Sequence, residues 1–265
     1  MILRRVIAHF KKQEWTAIAL DFLIVVVGVF VGLQVNNWNA AREDKNRAHA
    51  YLERISNDLD ADISAFAAQG SFWSDVADYG TAALAYAKTG DAEGASDWEL
   101  VLAFFQASQL GEFYTRDTTY EELKSAGELG LIHSVNLREQ LGYYYTTADN
   151  PYFTAQPRYR EHIRGLIPFD IQLYIWENCY RTVLSINQEM LACDSPMEEA
   201  QASALLGELI ANKTLIEELR FWRSTLQVAS IIGRDRTDIA TRIRKEIDKE
   251  IGVASAPKPV ESPAP

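Results

Sequence analysis

The pattern of apolar and polar positions changes near residue 39. Over residues 16–35 the only strongly polar side chains are those of Asp21 and Gln34. About 20 consecutive apolar residues suffice to cross a bilayer, because a helix of that length rises roughly 30 Å. The pattern therefore predicts one transmembrane helix over residues 16–38.

After residue 39 apolar residues recur at the spacing of amphipathic helices, and alternating strand patterns are nearly absent. The first such face contains Ala48, Leu52, Ile55, Leu59, Ile63 and Phe66. Capping boxes, in which serine or threonine precedes glutamate by three residues, predict helix starts at Ser96 and Thr118. We therefore predict an all-α fold in which residues 39–252 form a helical bundle.

Glycines and prolines set the predicted helix ends. We expect the helix after the span to end at Gly70 and the last long helix to pause at Gly233. Another helix is predicted over residues 169–188. Residues 253–265 are rich in proline, alanine and serine, which predicts a disordered tail.

Tryptophans bracket the predicted span. Trp15 precedes it and Trp38 ends it, and indole rings favour the headgroup level of a bilayer. Asn36, Asn37 and Asn39 surround the second tryptophan. We interpret this group as a membrane-interface anchor, with a polar contact patch between neighbouring spans as the alternative.

The charges that flank the span predict its orientation. Residues 1–15 carry four basic side chains against one acidic side chain, whereas the flank after the span has mixed charge. By the positive-inside rule, residues 1–15 are a cytoplasmic tail and residues 39–252 are extracytoplasmic. We expect a single-pass protein of the inner (cytoplasmic) membrane with a periplasmic domain. A cleaved signal peptide is the alternative, although its apolar core is typically shorter.

One face of the predicted span carries a carboxylate and two small residues. At 100° per residue, Asp21, Gly28 and Gly32 fall on the same side of the helix. A GxxxG pair lets two helix backbones approach closely, which predicts a homo-oligomer or a membrane-protein partner in addition to the lipid bilayer. Asp21 could instead reach the headgroups, be protonated, or carry protons as in single-span stator proteins.

The rest of the chain is acidic. After Asp21 it contains 22 basic and 35 acidic residues, a formal charge of −13. This charge argues against nucleic acid as a partner and against docking on anionic lipid. Solubility alone is enough to explain it.

Two cysteines, Cys179 and Cys193, are the only ones in the chain. In an oxidising compartment they predict a disulfide. Their spacing suits the turn between two antiparallel helices, and two buried free thiols are the alternative.

Motifs that carry chemistry are scarce. Asp58, Asp60 and Asp62 resemble the start of a calcium loop, but Ile63 stands where the loop needs glycine, so we interpret them as a solvated helix face. The histidines lack metal-ligand spacing, and nucleotide-binding and nucleophile motifs are missing. We predict no catalytic, metal or cofactor site and no enzyme activity.

Three successive tyrosines, Tyr143 to Tyr145, lie in an aromatic-rich middle third. They cannot all face the core of one helix. Whether they belong to the core or line a groove stays open at this level.

Two segments resemble a known family. The run G-V-F-V-G-L-Q-V-N-N-W-N-A-A-R over Gly28–Arg42 and the run T-Y-E-E-L-K-S-A-G over Thr119–Gly127 are similar to segments of a family of bacterial single-span membrane proteins of unknown function. In that family we expect glutamate where this chain has Asp21. The resemblance implies a single-span topology and no activity.

The sequence thus favours a membrane-anchored extracytoplasmic helical protein that serves in binding or assembly. A stator-like or sensory transducer that uses Asp21 is the first alternative. A helical hydrolase with a carboxylate pair is the second, because 35 acidic side chains offer many pairings.

Overall fold

The computed structural model describes residues 15–111, 114–147, 156–183 and 187–252. The predicted all-α class is confirmed. The elements in chain order are α1 (Trp15–Thr89), α2 (Asp97–Gln106), α3 (Thr118–Ser125), a 3₁₀ turn (Leu129–Leu131), α4 (Val135–Thr146), α5 (Arg158–Leu166), α6 (Phe169–Asn178), β1 (Tyr180–Val183), β2 (Asn187–Met190), α7 (Glu199–Ala211) and α8 (Lys213–Ile251).

Contacts divide the chain into two compact units, Met1–Tyr51 and Leu52–Pro265. The described residues of the first unit are helical and belong to α1. The second unit holds the rest of α1 and every later element. The predicted disordered tail over residues 253–265 and the part of the predicted cytoplasmic tail before Trp15 lie outside the described residues.

The core of the second unit is built around α2. Trp98 and every residue from Leu100 to Gln106 are buried, as expected of a helix that is apolar on all sides. It packs against α7, while α8 packs against α4, α5 and α7. The apolar face of α1 predicted from its spacing also enters the core, since Leu52, Ile55 and Leu59 are at most 1% exposed.

The start of α2 follows its sequence signal. The Ser96 hydroxyl accepts a hydrogen bond from the Glu99 backbone N–H at 3.2 Å, and the Glu99 carboxylate accepts one from the Ser96 N–H at 2.7 Å. The predicted capping box at this position is confirmed. At Thr118 the helix is present, but its cap residue is Asp117, which makes no side-chain capping bond.

Two glycines that were expected to interrupt helices do not. Gly70 lies within α1 and Gly233 lies within α8. A glycine inside a helix costs roughly 1 kcal/mol relative to alanine, and the burial of apolar side chains on both sides of each glycine offsets that cost.

The predicted helix over residues 169–188 is wrong in its second half. It ends at Asn178, and the chain then forms an antiparallel hairpin in which Tyr180 pairs with Met190 and Val183 with Asn187. The two cysteines therefore flank a β-hairpin, not a turn between helices. Four-residue strands give too short an alternation to outweigh the helical pattern that precedes them.

Candidate functional site

The segment of α1 over residues 20–35 is apolar and exposed. Its large apolar side chains from Leu20 to Val35 are each 45–70% exposed. The most apolar part of the helix has a mean hydropathy of 1.5 and is 0% buried. A core helix of a water-soluble domain would bury such a surface. Among the described residues, this is one helix near the N-terminus that is long and apolar enough to cross a membrane.

Gly28 and Gly32 lie on one face of this segment, four residues apart. A Cβ atom added at either glycine would meet nothing within 4 Å. Contacts with the described part of the chain therefore do not require glycine at either position. Asp21 is part of the same helix, but its side chain lies outside what the structure describes.

The predicted interface residues are helical. Trp38 is 65% exposed, and Asn36, Asn37 and Asn39 are exposed beside it. Trp15 is the first residue of α1. All the predicted membrane residues therefore belong to one helix, and those whose side chains are described are exposed.

The sulfurs of Cys179 and Cys193 are joined in a disulfide, as the sequence predicts. Both ends of the bridge are held to α2. The Trp98 indole N–H donates to the Cys193 carbonyl at 3.1 Å, and the Gln106 amide donates to the Cys179 carbonyl at 2.9 Å. The bridge thereby fixes the hairpin against the most buried helix of the domain.

Asp62 contradicts the interpretation of residues 58–62 as a solvated helix face. Its side chain is 1% exposed. It accepts hydrogen bonds from the Tyr144 hydroxyl at 2.8 Å and from the Arg116 backbone N–H at 3.0 Å. Burial raises the pKa of this carboxyl group, against the lowering effect of both hydrogen bonds.

The other two acids of the run behave differently. Asp58 accepts a hydrogen bond from the Thr119 hydroxyl at 2.5 Å, and exposed Asp60 pairs with Arg244 at 2.8 Å. Three positions two residues apart on a helix point in different directions. The acids therefore serve three separate contacts. Within the described ranges, no group of three or more His, Cys, Asp or Glu could hold a metal ion.

The tyrosine run divides between core and surface. Tyr144 is 0% exposed and Tyr145 is 8% exposed, whereas Tyr143 is 60% exposed. Tyr143 lines an open cleft of about 1080 Å³ together with Ile63 and Ile239. The expectation that the three rings cannot share the core is confirmed.

A second buried polar cluster, missed by the sequence analysis, surrounds two arginines of α5. Arg160 donates to the Ser108 carbonyl at 2.6 Å, and Arg164 donates to the Ser108 hydroxyl at 3.3 Å and to the Gln109 side chain at 3.1 Å. The guanidinium of Arg164 lies 5.2 Å from the Phe105 ring centre and 5.0 Å from that of Trp176. An i, i+4 arginine pair is the only signal in the sequence, and such pairs are usually solvated.

The fold and the exposed apolar segment define the class of this chain: an all-α protein with one candidate membrane-spanning helix near its N-terminus. Comparison with known proteins adds no relative, since no family model, no curated protein and no solved structure matches the chain.

Proposed function

We propose that this chain is a single-pass membrane protein whose helical domain lies outside the cytoplasm and serves in binding or assembly. The carrying observation is the 45–70% exposure of every large apolar side chain from Leu20 to Val35. At about 25 cal/mol per Å², such a surface is costly to leave in water. A bilayer removes this cost along the whole segment.

The compartment of the domain is supported by two features. The disulfide between Cys179 and Cys193 is stable in an oxidising compartment, whereas cytosolic thiols are kept reduced. The basic residues of the 1–15 segment favour a cytoplasmic N-terminus. The resemblance to single-span membrane proteins supports the same topology and stays a prediction.

The face of the span that carries Gly28 and Gly32 supports association. Two glycines weaken a helix intrinsically, and among the described residues no atom lies within 4 Å of the place where a Cβ would stand on either glycine. Small residues on one face allow a second helix to approach closely, so that van der Waals packing drives association within the bilayer. The partner is a second copy of this chain or another membrane helix.

A span–span association reporter carrying the full span tests this proposal. Gly28→Ile and Gly32→Ile should weaken association by on the order of tenfold, the change that about 1.4 kcal/mol produces. The added side chains separate the backbones. Val27→Ile is the control, because it places the same isoleucine side chain on another side of the helix, where it should change little. Equal association in all three variants would mean that the glycine face contacts lipid.

An Asp21→Asn variant addresses the transducer alternative. Asparagine keeps the shape and the hydrogen-bonding capacity but removes the titratable proton. If the residue is structural, association and cellular function should both persist. If the residue carries protons, association should persist and function should be lost.

A further inference from the structure

Arg160 and Arg164 converge on one residue, Ser108, just beyond the C-terminal end of α2. Each side chain is half-buried. Burial lowers the pKa of both, and for Arg164 the neighbouring charge of Arg160 adds to the effect and brings the pKa to about 10. Two like charges are therefore held close together in a partly desolvated place.

Among the described residues, neither arginine forms an ion pair with a carboxylate. Two arginines without a carboxylate partner in the described part of the chain are unexpected, because the chain has 37 acidic residues against 26 basic ones. The C-terminal end of α2 supplies about half a negative charge through its dipole. About 1.5 positive charges remain without a counter-charge in the described part of the chain.

Donors also remain. A guanidinium has five N–H donors. The hydrogen bonds to Ser108 and Gln109 engage one donor of Arg160 and two of Arg164 within the described residues. The remaining N–H groups can bind an oxyanion in the bidentate manner that arginine favours.

The surroundings hold these groups in place. Gln109 donates to Gln106 at 2.9 Å, and Gln106 donates to the Cys179 carbonyl at 2.9 Å. Trp176 contacts the Tyr180 ring at 4.8 Å between ring centres. Tyr180 lies close enough to both arginines for their charge to lower its pKa, against the raising effect of burial. Hydrogen bonds through Gln109 and Gln106 thus connect Arg164 to Cys179, and the first strand contributes Tyr180 beside the arginine pair.

We propose that Arg160 and Arg164 form a binding site for the phosphate group of a small ligand. A phosphate monoester carries about −1.5 to −2 charges at neutral pH, which matches the charge left uncompensated. A carboxylate supplies one charge and leaves the second guanidinium unpaired. This inference is independent of the association proposed for the membrane span.

The test is equilibrium binding of glycerol phosphate to the full chain in phosphatidylcholine nanodiscs, at constant ionic strength. Saturable binding to the wild-type chain is expected. Arg160→Gln and Arg164→Gln should each weaken it at least about tenfold. Arg158→Gln is the matched control, because Arg158 is an exposed residue of the same helix, and its affinity should stay within about twofold of the wild type.

The variant Arg160→Lys distinguishes a lost binding contact from misfolding, because lysine keeps the positive charge but lacks the planar guanidinium. Circular dichroism should show this variant folded, with binding still weakened about tenfold. Inorganic phosphate should compete for the site and acetate at the same concentration should not. The phosphate group could belong to a lipid headgroup or to a soluble ligand, and phosphatidate in the nanodisc distinguishes these two sources. If phosphatidate competes with glycerol phosphate, the ligand is a lipid headgroup; if it does not compete, the ligand is soluble.

Three outcomes would overturn the inference. The first is an absence of saturable binding by the wild-type chain. The second is an equal loss of affinity in Arg158→Gln and Arg160→Gln, which would indicate general electrostatic attraction. The third is acetate binding as tightly as phosphate, which would remove the assignment to phosphate.

Discussion

The carboxyl group of Asp62 occupies a position that water barely reaches. Tyr144 and the Arg116 backbone N–H hydrogen-bond its two oxygens, and partly buried Asp58 raises its pKa further by charge repulsion. On the other side of Tyr144, buried Arg236 donates to the Tyr144 carbonyl at 2.9 Å. The cluster links α1, α4 and α8 through polar contacts inside the domain.

This arrangement predicts an unusual pH dependence of stability. Because the folded-state pKa of Asp62 is raised, the folded chain binds a proton that the unfolded chain releases above about pH 3.9. The contribution of Asp62 to stability therefore falls as the pH rises from there through its folded-state pKa. Asp62→Asn, which resembles the protonated form, should remove this slope.

Thermal unfolding of the full chain in detergent between pH 4 and pH 8 measures this effect. Asp238→Asn is the control, because Asp238 is an exposed acid of α8 and its substitution should leave the slope as in the wild type. An identical pH profile for the wild type and Asp62→Asn would contradict the prediction.

Such residue-level features were beyond the sequence pattern. Asp62 stands among alternating acids that resemble a solvated face, but in the fold it is buried and accepts hydrogen bonds from Tyr144 and Arg116, which are distant in sequence. The contacts of Arg160 and Arg164 likewise come from a distant part of the chain, through Ser108 just beyond the end of α2. The spacing of residues along the chain predicts which side chains share a helix face, but it does not predict which other residues contact that face.

At the scale of elements, the cysteine pairing was predicted correctly, but the β-hairpin between the two cysteines was not predicted. Two cysteines leave a single intramolecular pairing, so the partners follow from the count. The strands do not, because they depend on the bridge and on tertiary contacts, such as those that α2 makes with the flanking cysteines. The Cys179 and Cys193 carbonyls are both hydrogen-bonded by side chains of α2.

Removal of the bridge should destabilise the domain. Closing a loop of about 15 residues stabilises by roughly 3 kcal/mol in the chain-entropy model. Cys179→Ala with Cys193→Ala should lower the free energy of unfolding by about that amount, measured by denaturant titration in detergent. Wild-type thiols should resist alkylation until a reductant is added, and labelling of both thiols without reduction would contradict the prediction.

Long elements were predicted better than their ends. The capping box at Ser96 and the apolar face from Leu52 to Leu59 are local signals, and both are confirmed. Gly70 and Gly233 misled the boundary prediction, because packing on either side of a glycine can outweigh its intrinsic cost in a helix. The candidate membrane-spanning helix was predictable because the prediction needs only composition and length.

At the scale of the whole molecule, the two units differ in what they bury. The described large apolar side chains of the N-terminal segment are exposed, whereas the second unit encloses a core with fully buried residues such as Val76, Phe104 and Leu209. The exposed apolar segment is therefore costly to leave in water.

Reporter fusions test the proposed orientation, in which the N-terminus is cytoplasmic and the helical domain is extracytoplasmic. The 1–15 segment carries Arg4, Arg5, Lys11 and Lys12 against Glu14, and cytoplasmic flanks are enriched in Lys and Arg. A reporter enzyme that is active only outside the cytoplasm, fused after Gly252, should be active in cells. A reporter that is fluorescent only in the cytoplasm should stay dark at the same position.

A charge-reversed variant supplies the mechanistic control for this orientation. Changing the four basic residues of the 1–15 segment to glutamate removes the bias that holds the N-terminus in the cytoplasm. The fraction of chains with an externally active reporter should then fall, because the flank after the span still carries Arg42, Lys45 and Arg47. If the wild-type fusion were active only with the cytoplasmic reporter, the extracytoplasmic placement of the domain would be wrong.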